Sequence, residues 1–274
     1  MSFVVQHSLV TPSAPPRRWM LFLHGILGSG NNLRALARRL VDACPSWGIA
    51  LVDLRLHGGS QGAPPPHSVK TAASDLTAVC DRLPGPVVGI TGHSFGGKVS
   101  LEFLAQRGGG MELAWILDAM PGPRPGGRGS EGTLGIFGAL ESVGRVFSSR
   151  QQFVDRIVAQ GHEESTARWL AMNLERQGDD FVLCLDLPGL RAMLDDYFVQ
   201  DLWPVIEAPP AGLTMNLVIG GKSSVFDDAE RTRAEQAAAR SGGRVQIHLL
   251  PEAGHWVHID DPEGLFTRMR ASLR

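Results

Sequence analysis

Two short stretches of this sequence carry the pattern Gly-x-Ser-x-Gly: GGSQG at residues 58–62 and GHSFG at residues 92–96. Between a strand and a helix, this pattern is typical of a sharp turn that presents a nucleophilic serine. The pattern fixes only three residues, and the chain of 274 residues contains 33 glycines. A match alone is therefore a hypothesis, and the elements around Ser60 and Ser94 must decide between them.

Short apolar runs alternate with segments of helical periodicity along most of the chain. This alternation predicts an α/β fold in which helical crossovers join parallel strands. The apolar runs lack polar alternation, as expected for strands that are covered on both faces. The predicted strands are 3–10, 19–23, 48–54, 87–91, 113–117, 213–220 and 244–250. The predicted helices are 31–44, with Asn31 as its cap, 68–83, 94–106, 228–240 and 262–273.

The alternation stops after Met120, where PGPRPGGRGSEGTLG is rich in proline and glycine and predicts an exposed loop. Residues 134–203 then have a mostly helical pattern, and the alternation resumes at residue 213. We therefore predict one core domain made of residues 1–119 and 211–274, with a mostly parallel sheet flanked by helices. Residues 120–210 are predicted to form a helical cap that is inserted in this core and covers Ser94.

The neighbouring elements favour Ser94 over Ser60 as the nucleophile. GHSFG follows the apolar run PVVGIT and opens KVSLEFLAQ, which has helical spacing, so Ser94 lies between a predicted strand and a predicted helix. GGSQG also follows a strand, but it runs into APPPH, and three prolines cannot open the helix that such a serine must head. We therefore predict that Ser60 belongs to a glycine-rich turn.

The turn around Ser94 is also predicted to stabilise an oxyanion. The two glycines of GHSFG lack a Cβ, so they permit a strained turn and a close approach of strand and helix. The N-terminus of the following helix offers unpaired N–H groups, and the N–H of Phe95 is the first predicted donor. The N–H of Ile26, in LFLHGILGSGNN after an early strand, is the second. Beside it, His24 is expected to hydrogen-bond backbone rather than to transfer protons.

Candidates for the general base and the acid follow the later strands. HLLPEAGHWVHID offers His255 and His258, and we predict His255 as the base and His258 as a partly exposed loop residue. Asp118 ends the apolar run of ELAWILD. A carboxylate there is costly unless it is paired, so Asp118 is the predicted acid that orients His255. Asp227 or Asp228, in VIGGKSSVFDD, is the alternative acid, and Asp228 is also placed to cap a helix.

Three motifs together resemble the α/β-hydrolase superfamily over essentially the whole chain: His-Gly after an early strand, GHSFGGK, and AGHWVH near the C-terminus. LHGILGSGNNL, VDLRLHGGS, IGGKSS and EAGHWVHID are similar, more narrowly, to the small serine esterases of the abhydrolase-domain type from bacteria and mitochondria. This resemblance implies hydrolysis of esters with short or medium acyl chains, without metal or cofactor. Ser223 or Ser224 stands about where the superfamily usually has its acid, but members of this branch also take the acid from the position of Asp118.

Composition and charge argue against several other classes of protein. The chain is 43% hydrophobic and 20% charged, and its formal net charge of −2 does not indicate nucleic acid or an anionic membrane surface as a partner. The apolar run 19–23 is too short for stable membrane insertion, and the N-terminus lacks the order of a signal peptide. Three cysteines without a C-x-x-C pair favour a reducing compartment, so a cytoplasmic location is predicted. The expected partner is a small-molecule ester, and no oligomeric state is predicted.

The sequence therefore predicts a serine hydrolase that cleaves carboxylic esters through an acyl-enzyme on Ser94. A cofactor-free haloperoxidase or perhydrolase, a thioesterase and a C–C bond hydrolase are compatible with the same triad, so these reactions stay open. A haloalkane dehalogenase or an epoxide hydrolase would need an aspartate in place of Ser94. A non-catalytic binding module of the same fold is the alternative of another class.

Overall fold

The computed structural model describes residues 3–107, 109–127 and 130–273. Residues 1, 2, 108, 128, 129 and 274 lie outside the described part, although the predicted domain ranges include them. Two of these, 128 and 129, belong to the predicted glycine-rich loop. Within the described part, no helix is both long enough and apolar enough to cross a membrane.

A mostly parallel sheet forms the centre of the fold, as the alternating pattern predicts. Its strands, numbered along the chain, are β1 (His7–Val10), β2 (Arg18–Leu23), β3 (Trp47–Val52), β4 (Val87–His93), β5 (Leu113–Leu117), β9 (Thr214–Gly220) and β10 (Val245–Leu250). Across the described residues the strand order is β1-β3-β2-β4-β5-β9-β10. In this sheet β1 pairs antiparallel with β3, and the other neighbours pair parallel.

Helices cover both faces of this sheet, and β2 shows why. Trp19, Leu21 and Leu23 pack into the core on one face, whereas Met20 and Phe22 pack into the core on the other. Because neighbouring side chains of a strand point to opposite faces, a continuous apolar run is stable between two layers of helices. Each such side chain contributes roughly 1.5–3 kcal/mol when fully buried. The covering helices are α1 (Arg34–Ala43), α2 (Val69–Cys80), α3 (Phe95–Arg107), α9 (Asp228–Arg240), α10 (Val257–Asp260) and α11 (Pro262–Ser272).

The first helix begins later than the sequence predicts. Residues Gly30–Leu33 form a 3₁₀ turn, and α1 starts at Arg34. Asn31 is therefore not the cap of the helix, and its side-chain oxygen instead accepts a hydrogen bond from Arg34 Nε at 2.8 Å. The Asn32 side chain accepts a hydrogen bond from the N–H of Ser29 at 2.7 Å, which closes the turn before the helix.

The segment between β5 and β9 leaves the sheet, and the prediction that it is mostly helical is incomplete. Its helices are α4 (Glu131–Ser142), α5 (Arg150–Val158), α6 (Glu164–Leu170), α7 (Leu187–Val199) and α8 (Trp203–Glu207). Its strands, which the prediction lacked, are β6 (Val146–Phe147), β7 (Leu174–Gln177) and β8 (Asp180–Leu183). They form an antiparallel sheet in the order β6-β8-β7.

The exposure of the β7–β8 hairpin explains why the sequence pattern does not predict this small sheet. Gln177 pairs with Asp180, so only Gly178 and Asp179 form the turn, and Gly178 has the positive φ of 63° that tight hairpins favour. Leu174 is the one buried residue of β7, and the rest of that strand is exposed. A strand with one buried side chain has no hydrophobic period, and its pairing depends on the turn alone.

Helix α3 packs directly on the backbone of β2, and this close approach generates a first prediction. A Cβ on Gly96 would lie 2.5 Å from the carbonyl oxygen of His24 and 2.6 Å from that of Leu23. Gly96→Ala should therefore push α3 away from the sheet. We expect the free energy of unfolding, measured by urea denaturation, to fall by about 1–3 kcal/mol.

Gly138→Ala is the matched control, because Gly138 also lies in a helix, and a Cβ there would meet nothing within 4 Å. This substitution should raise stability by about 0.5–1 kcal/mol through the higher helix propensity of alanine. A Gly96→Ala variant that is as stable as Gly138→Ala would contradict the packing of α3 described above.

Candidate active site

Ser94 lies in the tight turn between β4 and α3, at the carboxyl edge of the sheet. Its φ is 52°, a left-handed conformation that serine rarely adopts, and its N–H donates to Leu117 O at 3.0 Å. A Cβ on Gly92 would lie 2.1 Å from Gly96 O, so only glycine permits this crossing of strand and helix. The turn presents the Ser94 side chain to a cavity, as the pattern GHSFG predicts.

His255 lies in the loop that follows β10 and reaches back to Ser94. Its Nε2 is 3.0 Å from Ser94 Oγ, which is within hydrogen-bond distance. The ring of His93 packs against the ring of His255 with centroids 4.8 Å apart, and His93 Nε2 donates to His255 O at 2.8 Å. The residue before the serine thus holds the loop that carries the predicted base.

Asp118 follows β5, is fully buried and has a φ of 44°. Its Oδ2 lies 2.7 Å from His255 Nδ1 and accepts a hydrogen bond from Ser223 Oγ at 2.5 Å. Its Oδ1 accepts a hydrogen bond from the N–H of Gly220 at 2.9 Å. A carboxylate removed from water needs such partners, and here it has them on both oxygens. Ser223, which stands near the usual position of the superfamily acid, donates to the carboxylate instead.

The alternative candidates for the acid and the base make other contacts, and two predictions about these residues are wrong. Asp227 accepts a hydrogen bond from the N–H of Glu230 at 2.9 Å, so it caps α9. The capping role predicted for Asp228 therefore belongs to Asp227, because Asp228 is already the first residue of the helix. His258 is not a partly exposed loop residue. It lies in α10, is 8% exposed and packs against the ring of His93, with centroids 4.8 Å apart.

The two predicted oxyanion donors line the same cavity as Ser94. Phe95 is the first residue of α3, where an N–H has no partner inside the helix. Ile26 lies in a turn that is closed by a hydrogen bond from Gly28 N to Gly25 O at 3.1 Å. Among the described residues, the N–H groups of Ile26 and Phe95 take part in no hydrogen bond. Two such donors beside a nucleophile are what a developing oxyanion requires.

The cavity that these residues line has a volume of about 270 Å³. Part of its wall comes from the segment between β5 and β9, through the apolar side chains of Ile136, Trp169, Leu194 and Tyr197. Other large apolar residues of that segment, such as Phe137, Phe147 and Phe153, are fully buried and pack its interior. The sequence could not separate these two sets, because the packing of the helices decides which face of each one meets the cavity.

Lys98 is a buried residue of this region that the sequence analysis did not single out, although it ends GHSFGGK. It is fully buried, and its Nζ donates to Gly122 O at 2.8 Å, Tyr197 O at 2.7 Å and Gln200 O at 3.1 Å. Burial is the main reason that the pKa of this amine falls to about 7. Lys98 thereby joins α3 to the beginning and to the last part of the insertion. Its partners are distant in sequence, so no local signal reveals them.

The first Gly-x-Ser-x-Gly stretch has a different role from the second. Ser60 is buried, and its Oγ donates to Asp53 O at 2.7 Å and accepts from the N–H of Gln6 at 2.8 Å. GGSQG is thus a turn after β3, as predicted, and its serine is engaged by backbone. Within the residues that the structure describes, no group of three or more His, Cys, Asp or Glu side chains is arranged to hold a metal ion.

Two further histidines, His24 and His57, are buried beside the turn that contains Ile26. His24 Nε2 accepts from the N–H of Leu54 at 3.0 Å, and its Nδ1 donates to Gly25 O at 2.7 Å. The prediction that His24 hydrogen-bonds backbone is therefore confirmed. Burial lowers the pKa of His24 to about 4 and that of His57 to about 3, so both rings are neutral near pH 7.

Known proteins share both the sequence pattern and the fold. The profile of the alpha/beta hydrolase family matches residues 20–268. A Mus musculus protein named sn-1-specific diacylglycerol lipase ABHD11 is 28% identical over 261 residues, covering 93% of this chain and 80% of that protein. Esterase YbfF of Escherichia coli (strain K12) is 28% identical over 255 residues, covering 93% of this chain and 92% of that protein. Among solved structures, a marine microorganism esterase has the same fold, with a TM-score of 0.83 at 20% identity over 98% of both chains.

The lowered pKa values of His24 and His57 predict that the stability of the fold depends on pH. Their pKa values are lower in the folded protein than the ordinary 6.5, so the unfolded chain binds protons more readily as pH falls. The stability they contribute is complete above about pH 6.5 and is lost as pH falls toward the folded values. Between about pH 7.5 and about pH 5, we expect urea denaturation to show a loss on the order of 2 kcal/mol for each such histidine.

His93 and His258 also have lowered pKa values, so they add to this dependence in the same direction. The variant His57→Gln carries no titrating group at this position, so its stability should change less between the two pH values than that of the wild type. Equal free energies of unfolding for the wild type at both pH values would contradict the assignment of neutral, buried rings.

Proposed function

We propose that this chain, which belongs to the alpha/beta hydrolase family and is a hydrolytic enzyme of the esterase type, cleaves carboxylic esters through an acyl-enzyme on Ser94. The observation that carries the proposal is the unbroken series of contacts from Ser94 Oγ through the His255 ring to the Asp118 carboxylate, at 3.0 Å and 2.7 Å. A nucleophile, a base and an orienting acid in hydrogen-bond contact are the requirement for this type of covalent catalysis.

The reaction follows from these positions. Ser94 Oγ attacks the ester carbonyl carbon while His255 Nε2 takes its proton, and the carbonyl oxygen becomes an oxyanion that the N–H groups of Ile26 and Phe95 stabilise. The tetrahedral intermediate then expels the alcohol, which leaves with the proton from His255. Water attacks the acyl-enzyme in the second half of the reaction, with His255 again as the base, and the carboxylic acid is released.

Asp118 is the group that makes His255 an effective base. Its contact with Nδ1 at 2.7 Å keeps the proton of the neutral ring on that nitrogen, so Nε2 is free to accept from Ser94. Hydrogen bonds from Gly220 and Ser223 hold the carboxylate in place, where it stabilises the imidazolium that forms during the attack.

The substrate class is assigned from the cavity and the relatives. A volume of about 270 Å³ lies below the range of about 300–1,000 Å³ that is typical for drug-sized ligands, so the cavity suits a small-molecule ester with a short or medium acyl chain. Two relatives that align over most of this chain are named as a lipase and an esterase, which supports ester cleavage. Thioesters, perhydrolysis and C–C bond cleavage could use the same three side chains, but no contact described above favours them. A non-catalytic role is disfavoured because Ser94, His255 and Asp118 remain in hydrogen-bond contact.

Residues 120–210 are proposed to act as a cap over Ser94, with residues 1–119 and 211–274 as the core. Ile136, Leu194 and Tyr197 from this segment line the cavity, and they would contact the acyl chain. Lys98 supports this role, because its three hydrogen bonds join the helix behind the nucleophile to Gly122 and to the end of α7. The cap then sets the chain length that the enzyme accepts.

The choice between the two serines can be tested with p-nitrophenyl esters from acetate to palmitate. Ser94→Ala should lower kcat at least about 10³-fold on every ester, without loss of stability. Ser60→Ala should lower kcat per folded molecule by less than about tenfold, because Ser60 bonds only backbone. It should lose about 1–3 kcal/mol of stability, since the N–H of Gln6 loses its buried partner. The wild type should prefer short or medium chains. Undiminished turnover by Ser94→Ala would overturn the proposed function, and an optimum at palmitate would overturn the assigned substrate class.

The assignment of the acid can be tested with two matched substitutions. Asp118→Asn should lower kcat by about 10⁴-fold, because the amide stabilises the wrong tautomer of His255. Asp227→Asn should leave kcat unchanged, because asparagine also caps a helix. The measurement is kcat for the best ester at a pH where both variants are folded. An active Asp118→Asn together with an inactive Asp227→Asn would show that the acid is misassigned.

A further inference from the structure

The loop after β3, residues Asp53–Ser60, contains the GGSQG serine and is not used by the proposed reaction. It packs against the turn Gly25–Gly28, which contains the proposed oxyanion donor Ile26. The two loops are 30 residues apart in the sequence, yet their backbones are joined through side chains. Through these contacts the β3 loop can hold the turn Gly25–Gly28 in place.

The turn Gly25–Gly28 has a conformation that its own residues do not favour. Gly28 N donates to Gly25 O at 3.1 Å, and Leu27, in the third position of this turn, has a φ of 64°. A positive φ at that position favours glycine, so a leucine must be held there by its surroundings. The position of the Ile26 N–H therefore depends on what holds Leu27.

His57 is the side chain that holds the N–H of Leu27. Its Nε2 lies 3.0 Å from Leu27 N, and its Nδ1 lies 2.8 Å from Arg55 O. A backbone N–H can only donate and a backbone carbonyl can only accept, so Nε2 is unprotonated and Nδ1 carries the proton. The ring is fully buried, and its centroid lies 4.9 Å from that of His24, which bonds the carbonyl of the Gly25–Ile26 peptide.

Hydrogen bonds of Asp53 and Ser60 hold the β3 loop that carries His57. Asp53 Oδ2 accepts from the N–H of Gly59 at 2.9 Å, and its Oδ1 accepts from the N–H of Gly30 at 2.8 Å. Ser60 Oγ donates to Asp53 O at 2.7 Å. The Asp53 carboxylate thus joins the β3 loop to Gly30, two residues after the turn Gly25–Gly28, and the His57 ring joins it to Leu27.

We propose that His57 is a positioning residue for the oxyanion hole: as a neutral acceptor for the N–H of Leu27, it sets the peptide planes that aim the N–H of Ile26 at the reacting oxygen. This inference rests on the proposed function of Ser94. The stretch VDLRLHGGS would then contribute to transition-state stabilisation. His57 would do so by holding the backbone of the turn Gly25–Gly28, without touching the substrate.

The test compares His57→Leu, which removes the acceptor, with His57→Gln, whose side-chain oxygen can take the place of Nε2. The measurements are kcat and KM for a p-nitrophenyl ester and the Ki of a trifluoromethyl ketone of the same chain length, which forms an oxyanion on the serine. For His57→Leu, kcat should fall about 10²-fold with KM within about threefold, and Ki should rise by a similar factor. His57→Gln should recover most of both losses.

His248→Leu is the control for a merely structural effect. His248 is half-buried, bonds Asn216 at 2.8 Å and stacks on Trp115, but it does not line the cavity. This variant should lose stability and keep kcat and Ki. Wild-type kcat in His57→Leu, or equal losses in His57→Leu and His57→Gln, would overturn the proposal.

If His57→Leu does not fold, the hydrogen bond can be measured directly in the wild type. The N–H···N hydrogen bond from Leu27 to His57 should give a scalar coupling between the two nitrogens by NMR, both alone and with the trifluoromethyl ketone bound. Absence of that coupling would overturn the proposal. Ser94→Ala distinguishes a failure of this proposal from a failure of the proposed function. If the proposed function is wrong, Ser94→Ala retains turnover, whatever the result at His57.

Discussion

The site depends most on one interaction, the hydrogen bonding of the buried carboxylate of Asp118. Parallel strands end at the same edge of a sheet, so the loops after β5, β9 and β10 meet there. Asp118 belongs to the first loop, Gly220 ends β9 and Ser223 lies in the second loop, and His255 belongs to the third. A buried carboxylate that lost any of these partners would carry a large desolvation cost, so the three loops hold one another in place. The 3.0 Å contact of His255 with Ser94 is a consequence of that arrangement.

Backbone strain is concentrated around the same edge. Ser94, Asp118 and Leu27 all have positive φ values, of 52°, 44° and 64°, and each belongs to a loop that follows a strand. Such conformations persist only where surrounding contacts impose them, and they cluster at functional sites. In this molecule the contacts are specific: Leu117 O for Ser94, Val218 O for the N–H of Asp118, and His57 for Leu27. The sheet and its neighbouring loops therefore maintain a geometry that the local sequence alone would not adopt.

Much of the fold could be predicted from the sequence, because apolar runs and helical periods record local burial. The contacts among Ser94, His255 and Asp118 were also predictable, since each residue follows a strand and carries a group that needs a partner there. The sheet of β6, β7 and β8 was not predictable, because β7 exposes most of its side chains and its pairing is set by a two-residue turn. The role of Lys98 and the Leu27 contact of His57 were missed for a different reason. Their partners lie 24 or more residues away, and no spacing along the chain encodes a hydrogen bond to a distant backbone group.

The role of Ser94 is tested most directly by covalent labelling of the wild type with a fluorophosphonate. The labelled residue is identified by peptide mass spectrometry, and the residual esterase activity is measured in parallel. We expect one phosphonyl group per chain, located on Ser94, with activity lost at the same rate as the label is gained. His255→Ala should label far more slowly, because the serine then lacks its base. A label on another side chain that abolishes activity, or full activity in a chain labelled on Ser94, would contradict the assignment of Ser94 as the nucleophile.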